Sequence, residues 1–233
     1  MLNQLLARAS ANLPSQCAVC LAWPSQPLCE ACVTRFAQPV PRCQTCALPV
    51  PSNVIRCGAC LKAPPPLDAC HAAVSYVWPW PDRIAHFKFN GNPGWAHTLA
   101  ILMRSTPWVE PALDRCDLIV PMPLSAERLR ERGFNQALEL ARCLAPAKVE
   151  ATLLLRIRHT PPQSSLKREE RLRNVSGAFA IDPLRAGVVQ RKHVVLVDDV
   201  MTSGASVFAA ATTLRQAGVS GVTALVVART DED

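Results

Sequence analysis

Val194 to Ser206 reads VVLVDDVMTSGAS, an apolar run that ends in two adjacent carboxylates and is followed at once by hydroxyls and a glycine. Val194 to Val197 are β-branched or Leu and few in number, the pattern of a parallel strand buried on both faces. After Gly204 the apolar positions become Val207, Ala210, Ala211 and Leu214, and the run stops at Gly218. That spacing of i, i+3, i+4, i+7 with a closing glycine predicts a helix. Strand, tight loop, helix is therefore the local frame, and it points to an α/β fold. In such a loop the N–H groups of Ser203, Gly204, Ala205 and Ser206 gather at a helix N-terminus, where orphan donors and the helix dipole favour a phosphate. Thr202, Ser203 and Ser206 add hydroxyl donors. Asp198 and Asp199 are expected at the carboxyl end of the strand, just outside the sheet, where open α/β folds bind ligands and where two carboxylates can accept from vicinal ribose hydroxyls. The chemistry is that of a site for a phosphorylated sugar.

An isolated Asp-Asp pair after a strand would more simply cap a helix or face solvent. It is the unbroken string that selects the phosphate reading. The segment resembles the phosphoribosyl pyrophosphate (PRPP) motif of type I phosphoribosyltransferases. That resemblance implies a phosphoribosyltransferase-type, Rossmann-like, mostly parallel sheet.

The other strong signal lies near the opposite end. Eight of the 11 cysteines form four C-x-x-C pairs: Cys17 and Cys20, Cys29 and Cys32, Cys43 and Cys46, Cys57 and Cys60. Each pair can wrap one edge of a tetrahedral metal, and two pairs close a four-thiolate site, so eight thiolates predict two structural Zn2+ ions. A disulfide framework is the alternative, but Cys70, Cys116 and Cys143 leave an odd count and nothing at the N-terminus reads as secretory. Redox sensing is weaker still, since thioredoxin-like motifs do not come in fours. Two pairings of the knuckles remain open: sequential, or a cross-brace.

Length fits two parts, a zinc-ribbon module over 1–63 with a short amphipathic helix at its start, and a phosphoribosyltransferase-like domain over 67–233, joined by Pro64-Pro65-Pro66. The module holds too few apolar residues for a core of its own. No run approaches the ~20 apolar residues of a membrane span, and the opening lacks the basic start and apolar middle of a signal peptide, so a cytoplasmic location is expected. The formal charge is +7, but two four-thiolate zinc sites at −2 each bring it to about +3. Such an excess argues for anionic ligands only where it is concentrated.

It is concentrated twice. Arg128, Arg130 and Arg132 follow the strand-like DLIVPMP of Asp117 to Pro123, and Arg156, Arg158, Lys167, Arg168, Arg171 and Arg173 crowd a polar stretch that reads as a mobile loop running into one helical turn. Solvated charged faces would explain both. Between them, Asn135 is placed as an N-cap for a helix whose apolar face is Ala137, Leu140, Ala141 and Leu144. Trp78, Trp80, Phe87, Phe89 and Trp95 interleave with Arg83, His86 and Lys88; such rings can stack the bases of single-stranded nucleic acid, but packing is the preferred reading.

The strings VPMPLSAERLRERGFNQA and QSSLKREERLRNVSGAF, followed by the PRPP motif and preceded by a cysteine-rich start and CLKAPPP, resemble the ComF family (ComF/GntX type) over nearly the whole chain. The resemblance implies that the loop beginning at Val120, Pro121, Met122 and Pro123 wraps a diphosphate, with Arg128 and Arg132 as charge donors, and that the segment around Gln163, Arg171 and Asn174 closes over PRPP. It implies Mg2+ held by the diphosphate oxygens and water. Chemistry, if it runs, is displacement of pyrophosphate at the anomeric carbon, with Asp198, Asp199 and Arg132 in the catalytic set. Some purine-salvage enzymes carry a carboxylate where this chain has Thr202, so no general base is assigned. The implied role is an accessory factor that handles incoming single-stranded DNA in competence, at the inner face of the membrane, with helicase or recombination proteins as partners. A free-standing phosphoribosyltransferase using a base or amine acceptor is the alternative, and a PRPP-sensing regulator lies between.

Overall fold

The computed structural model describes residues 15–89, 92–158 and 177–231. The helix expected at the start of the chain, and Gln163, Arg171 and Asn174, lie outside the described residues. By its contacts the chain forms two compact units, Met1–Gln38 and Pro39–Asp233.

In the smaller unit the chain doubles back through an antiparallel bridge between Ser15 and Ser25, then enters helix α1 (Glu30–Phe36). Its buried apolar residues are Cys17, Leu28 and Cys32. Among the described residues of this unit three such side chains do little to offset the entropy of ordering the chain, which a cross-link through the cysteines would offset.

The larger unit runs α2 (Gly58–Lys62), β1 (Ala69–Ser75), α3 (Trp80–Phe89), α4 (Trp95–Arg104), α5 (Val109–Arg115), β2 (Leu118–Pro121), α6 (Ala126–Arg132), α7 (Gln136–Leu144), β3 (Leu154–Arg156), β4 (Phe179–Ile181), β5 (His193–Met201), α8 (Ala205–Gln216) and β6 (Gly221–Arg229). Strands β1, β6, β5 and β2 form a parallel sheet in that spatial order, and β3 and β4 form a separate antiparallel pair. The fold is thus α/β with a mostly parallel sheet. Parallel neighbours need crossovers, and α8 supplies the one between β5 and β6.

Residues Val194 to Val197 are each no more than 1% exposed, as a strand covered on both faces must be. Burying each such side chain contributes ~1.5–3 kcal/mol. Val194 and Leu196 pack with Val207, Ala210, Ala211 and Leu214 of α8, the four positions that the helical period selects. Gly218, at φ 91°, ends that helix in the left-handed region.

Strand β5 is longer than its apolar core. Its ladder with β6 continues through Asp198 opposite Val226 to Met201 opposite Arg229, whereas its ladder with β2 stops at Val197 opposite Pro121. The aspartates are therefore on the strand rather than beyond it. They emerge where β2 has ended, which opens one side of β5 to a ligand.

Of the interleaved aromatics, Trp80, Phe87 and Trp95 are core residues, while Trp78 and Phe89 are exposed. Among the described residues no helix is long and apolar enough to cross a membrane.

Candidate functional site

Past the end of β2 the chain is turned back by two caps. The Ser125 side chain accepts from the Arg128 N–H and starts α6, which closes on Gly133 at φ 77°. The Asn135 side chain accepts from the N–H groups of Ala137 and Leu138 to start α7, and its amide donates to the Met122 carbonyl at 3.1 Å. That last bond fixes the loop after β2 against the helix. Ala137, Leu140, Ala141 and Leu144 are buried, as the period requires.

These turns bring α6 and the start of α7 opposite the Asp pair. The resulting cleft is lined by Met122, Arg128, Arg132, Asp198, Asp199, Thr202, Gly204, Ala205 and Ser206, together with Lys88, Asn135, Gln136 and Arg156. Two expected residues are elsewhere. Pro121 is buried in β2, paired with Val197. Ser203 is 2% exposed, with its hydroxyl turned in to accept from the Ala205 N–H at 3.4 Å. It shapes the loop and does not line the cleft.

Lys88 and Arg156 were not read as site residues from the sequence. Lys88 leaves α3, whose Trp80, Ile84 and Phe87 are buried, and its Nζ meets Asp199 Oδ1 at 2.8 Å with both side chains largely shielded. Arg156 lies on β3 rather than in a loop, its guanidinium over the Phe179 ring of β4 at 5.6 Å. Burial and the nearby Arg128 lower its pKa from the ordinary value, with Asp198 acting the other way. Arg132 is held twice: Nη1 donates to Gln136 Oε1 at 2.8 Å, and the guanidinium lies over Phe89 at 5.2 Å. Gln136 is itself buried and donates to the Phe134 carbonyl.

The lining thus carries four cations, Lys88, Arg128, Arg132 and Arg156, against two carboxylates. A partly enclosed cleft with that balance concentrates polyanions. Within it, burial and then the charge of Asp199 push Asp198 up to about 7, against the opposing pull of the Asp199 N–H, Lys88 and Arg132. The Asp199 N–H donates to Asp198 Oδ1 at 2.8 Å.

Gly204 starts α8 from φ 78°, and a Cβ placed there would lie 2.6 Å from the Met201 methyl and from the Phe208 ring. Only glycine satisfies both the dihedral and the space. Gly204→Ala is expected to lower stability by ~1–3 kcal/mol and to deform the loop that ends in Ser206. Chemical denaturation and sugar-phosphate binding measure the two effects, and a variant unchanged in both would contradict this placement.

The cysteines fall into two groups, Cys17, Cys20, Cys29 and Cys32, and Cys43, Cys46, Cys57 and Cys60, with the sulfurs of each group within 4.8 Å of one another. The pairing is sequential. Sulfurs lie 3.8 Å apart for Cys17 and Cys32, 3.5 Å for Cys20 and Cys29, and 3.7 Å for Cys46 and Cys57. Tetrahedral Zn2+ with ~2.3 Å bonds requires sulfurs ~3.8 Å apart, and a disulfide requires ~2.05 Å. None of the 11 cysteines is in a disulfide. Both groups can therefore hold structural zinc. One cysteine of each group is shifted toward thiolate, while Cys29, Cys32, Cys46 and Cys60 are pushed up: burial raises Cys17, but the N–H groups of Cys20, Cys29 and Val19 more than offset it and bring it down to about 6. The N–H groups of Cys57, Cys46 and Thr45 likewise bring buried Cys43 down to about 7. The first group includes exposed Cys20 and half-buried Cys29, whereas all four members of the second are buried.

No family model matches the chain. It is 32% identical to the DNA utilization protein YhgH of Salmonella typhimurium, over 94% of this chain and 99% of that protein. It is 30% identical to competence protein F of Haemophilus influenzae, over 74% of this chain and 77% of that protein. It is 31% identical to competence protein ComFC of Bacillus subtilis, over 59% and 54%.

Proposed function

Because the chain belongs to the ComF family of competence and DNA-utilization proteins, we propose that its cleft binds PRPP with Mg2+ and that it serves as an accessory factor in handling single-stranded DNA during uptake. One observation carries the PRPP reading: Thr202, Gly204, Ala205 and Ser206 of the TSGAS loop, the Asp pair and four cations line a single cleft. A bis-anionic ribose suits that arrangement better than any neutral ligand. The 5′-phosphate takes the N–H groups at the start of α8, the ribose diol takes Asp198 and Asp199, and the diphosphate takes Arg128 and Arg132.

Mg2+ carried with the diphosphate supplies charge neutralisation on the leaving oxygens. Asp199 is oriented by Lys88, and Arg132 by Gln136, so neither has to reorganise when PRPP arrives. Turnover breaks the bond from C1 to the pyrophosphate oxygen, which leaves with the electron pair, and forms a bond from C1 to the acceptor. Positioning and charge stabilisation carry such a step.

A second reading, a free-standing phosphoribosyltransferase, draws on Asp198. Burial and the charge of Asp199 raise that carboxylate to about 7, so near neutral pH it can exchange a proton with a bound group. What favours the DNA role is the pair of cysteine sites, for which a small-molecule salvage enzyme has no evident need. A docking surface for helicase or recombination proteins at the cytoplasmic face of the membrane is the use we assign to that module.

Pyrophosphate release from Mg-PRPP by the zinc-loaded chain, with and without single-stranded DNA and a panel of bases, decides between them. We expect release to depend on DNA. Release with a base alone would establish the second reading, and failure to bind PRPP would contradict both.

A further inference from the structure

Arg229 ends β6 and is 2% exposed, and no carboxylate among the described residues forms an ion pair with it. Its Nε donates to the Cys46 carbonyl at 3.0 Å. Its Nη1 donates to the carbonyls of Met201 at 3.2 Å, of Thr202, and of Thr230 at 2.6 Å, and to Thr230 Oγ1 at 3.2 Å. One planar fork thus grips the knuckle between Cys43 and Cys46 on one side and the first residue of the TSGAS loop on the other. The loop cannot drift while that fork is filled, because Thr202 is pinned through its carbonyl and Gly204 is confined by the Phe208 ring.

A buried cation is tolerated when its donors are filled, and here carbonyls of the knuckle and of the loop fill them. Cys46, whose carbonyl Arg229 holds, is one of the four sulfur ligands that Zn2+ would fix in the second site. Metal there would therefore hold one end of the fork in place.

We propose that Arg229 is a positioning residue which couples the Cys43, Cys46, Cys57, Cys60 site to the phosphate loop, so that its fork, anchored on that site, sets the affinity of the loop for a sugar phosphate. The proposal rests on the reading of the loop as the 5′-phosphate cradle. It makes the zinc site part of the ligand site, not merely a staple of the fold.

The test uses the full zinc-loaded chain and the variants Arg229→Met and Arg229→Lys. Ribose 5-phosphate probes the loop, Mg-pyrophosphate probes Arg128 and Arg132, and amide hydrogen exchange reads residues 201–206 directly. Arg229→Met should still hold two zinc ions, lose at least about tenfold in affinity for ribose 5-phosphate, keep its affinity for pyrophosphate, and exchange faster over 201–206 than over 194–197. Arg229→Lys, which keeps the charge but not the fork, should recover part of the loss. Equal loss of both ligands, or unchanged exchange over 201–206, would overturn the coupling. If Arg229→Met does not fold, Arg229→Lys decides by the same selective loss. If the unaltered chain binds neither ligand, the PRPP reading fails, and exchange over 201–206 still decides whether Arg229 holds the loop.

Discussion

Asp198→Asn with Asp199→Asn is expected to weaken Mg-PRPP binding at least ~100-fold while leaving the chain folded, because each change removes a charged acceptor worth ~1.5–3 kcal/mol to a ribose hydroxyl. The single changes should separate in stability. Burial and the adjacent Asp199 hold Asp198 at about 7 in the folded chain, against ~3.9 unfolded. The folded state then binds more protons than the unfolded state between those values, so stability falls as pH rises from ~4 to ~7 and changes little above. Asn carries no such penalty. Asp198→Asn should therefore raise the thermal midpoint relative to the unaltered chain by more at pH 8 than at pH 5, by roughly 2–4 °C per kcal/mol relieved. Asp199→Asn has the opposite sign, since it strands the shielded Lys88 ammonium without its partner. Thermal scans at the two pH values check both signs, and unaltered PRPP affinity in the double variant would sink the site.

Loss of a single thiolate should matter very differently at the two cysteine sites. Cys43 is fully buried in a cluster that also holds Val120, Leu196 and Val226, so Cys43→Ser disturbs the core of the sheet as well as a metal site. Structural zinc binding in small peptides is worth ~10–16 kcal/mol, comparable with the whole stability of a domain, ~5–15 kcal/mol. Cys43→Ser is expected to leave little soluble folded chain. Cys17→Ser should lose one zinc and the order of the unit Met1–Gln38, while the Pro39–Asp233 unit keeps its cooperative transition. A chromogenic chelator should likewise draw zinc in two phases, the faster from the site with exposed Cys20. A single phase of two ions, or equal damage from both substitutions, would contradict this asymmetry.

The elements with a clear period were legible in the sequence. Val194 to Val197 as a strand, Val207 to Leu214 as a helix face and Asn135 as a cap all depend on neighbours within about a turn, which a sequence displays. The two cysteine groups were legible as ligands but not as partners. Spacing permits two connectivities, and the separations between sulfurs resolve them. Lys88 and Arg156 were hidden because their roles depend on residues far along the chain: Asp199 lies 111 positions beyond Lys88 and forms its ion pair. The aromatics around Lys88 drew attention instead, although three of the rings only anchor its helix and the next. Arg229 did leave a signal, a lone cation at the end of the apolar run Val222 to Ala228. A charge there must either leave the sheet or be satisfied inside it, and it is satisfied inside. The Asp pair was placed one step too far out because the end of an apolar run is not the end of a strand. Pairing with β6 carries the ladder past it.

Isothermal titration of the zinc-loaded chain with Mg-PRPP tests the cleft most directly. If the cleft takes PRPP, the four cations and two carboxylates around the loop that starts α8 call for a single saturable site per chain that competes with both ribose 5-phosphate and pyrophosphate and disappears in the Asp198→Asn, Asp199→Asn double variant. Absence of saturable heat, or binding that survives loss of both aspartates, would contradict the assignment of this cleft.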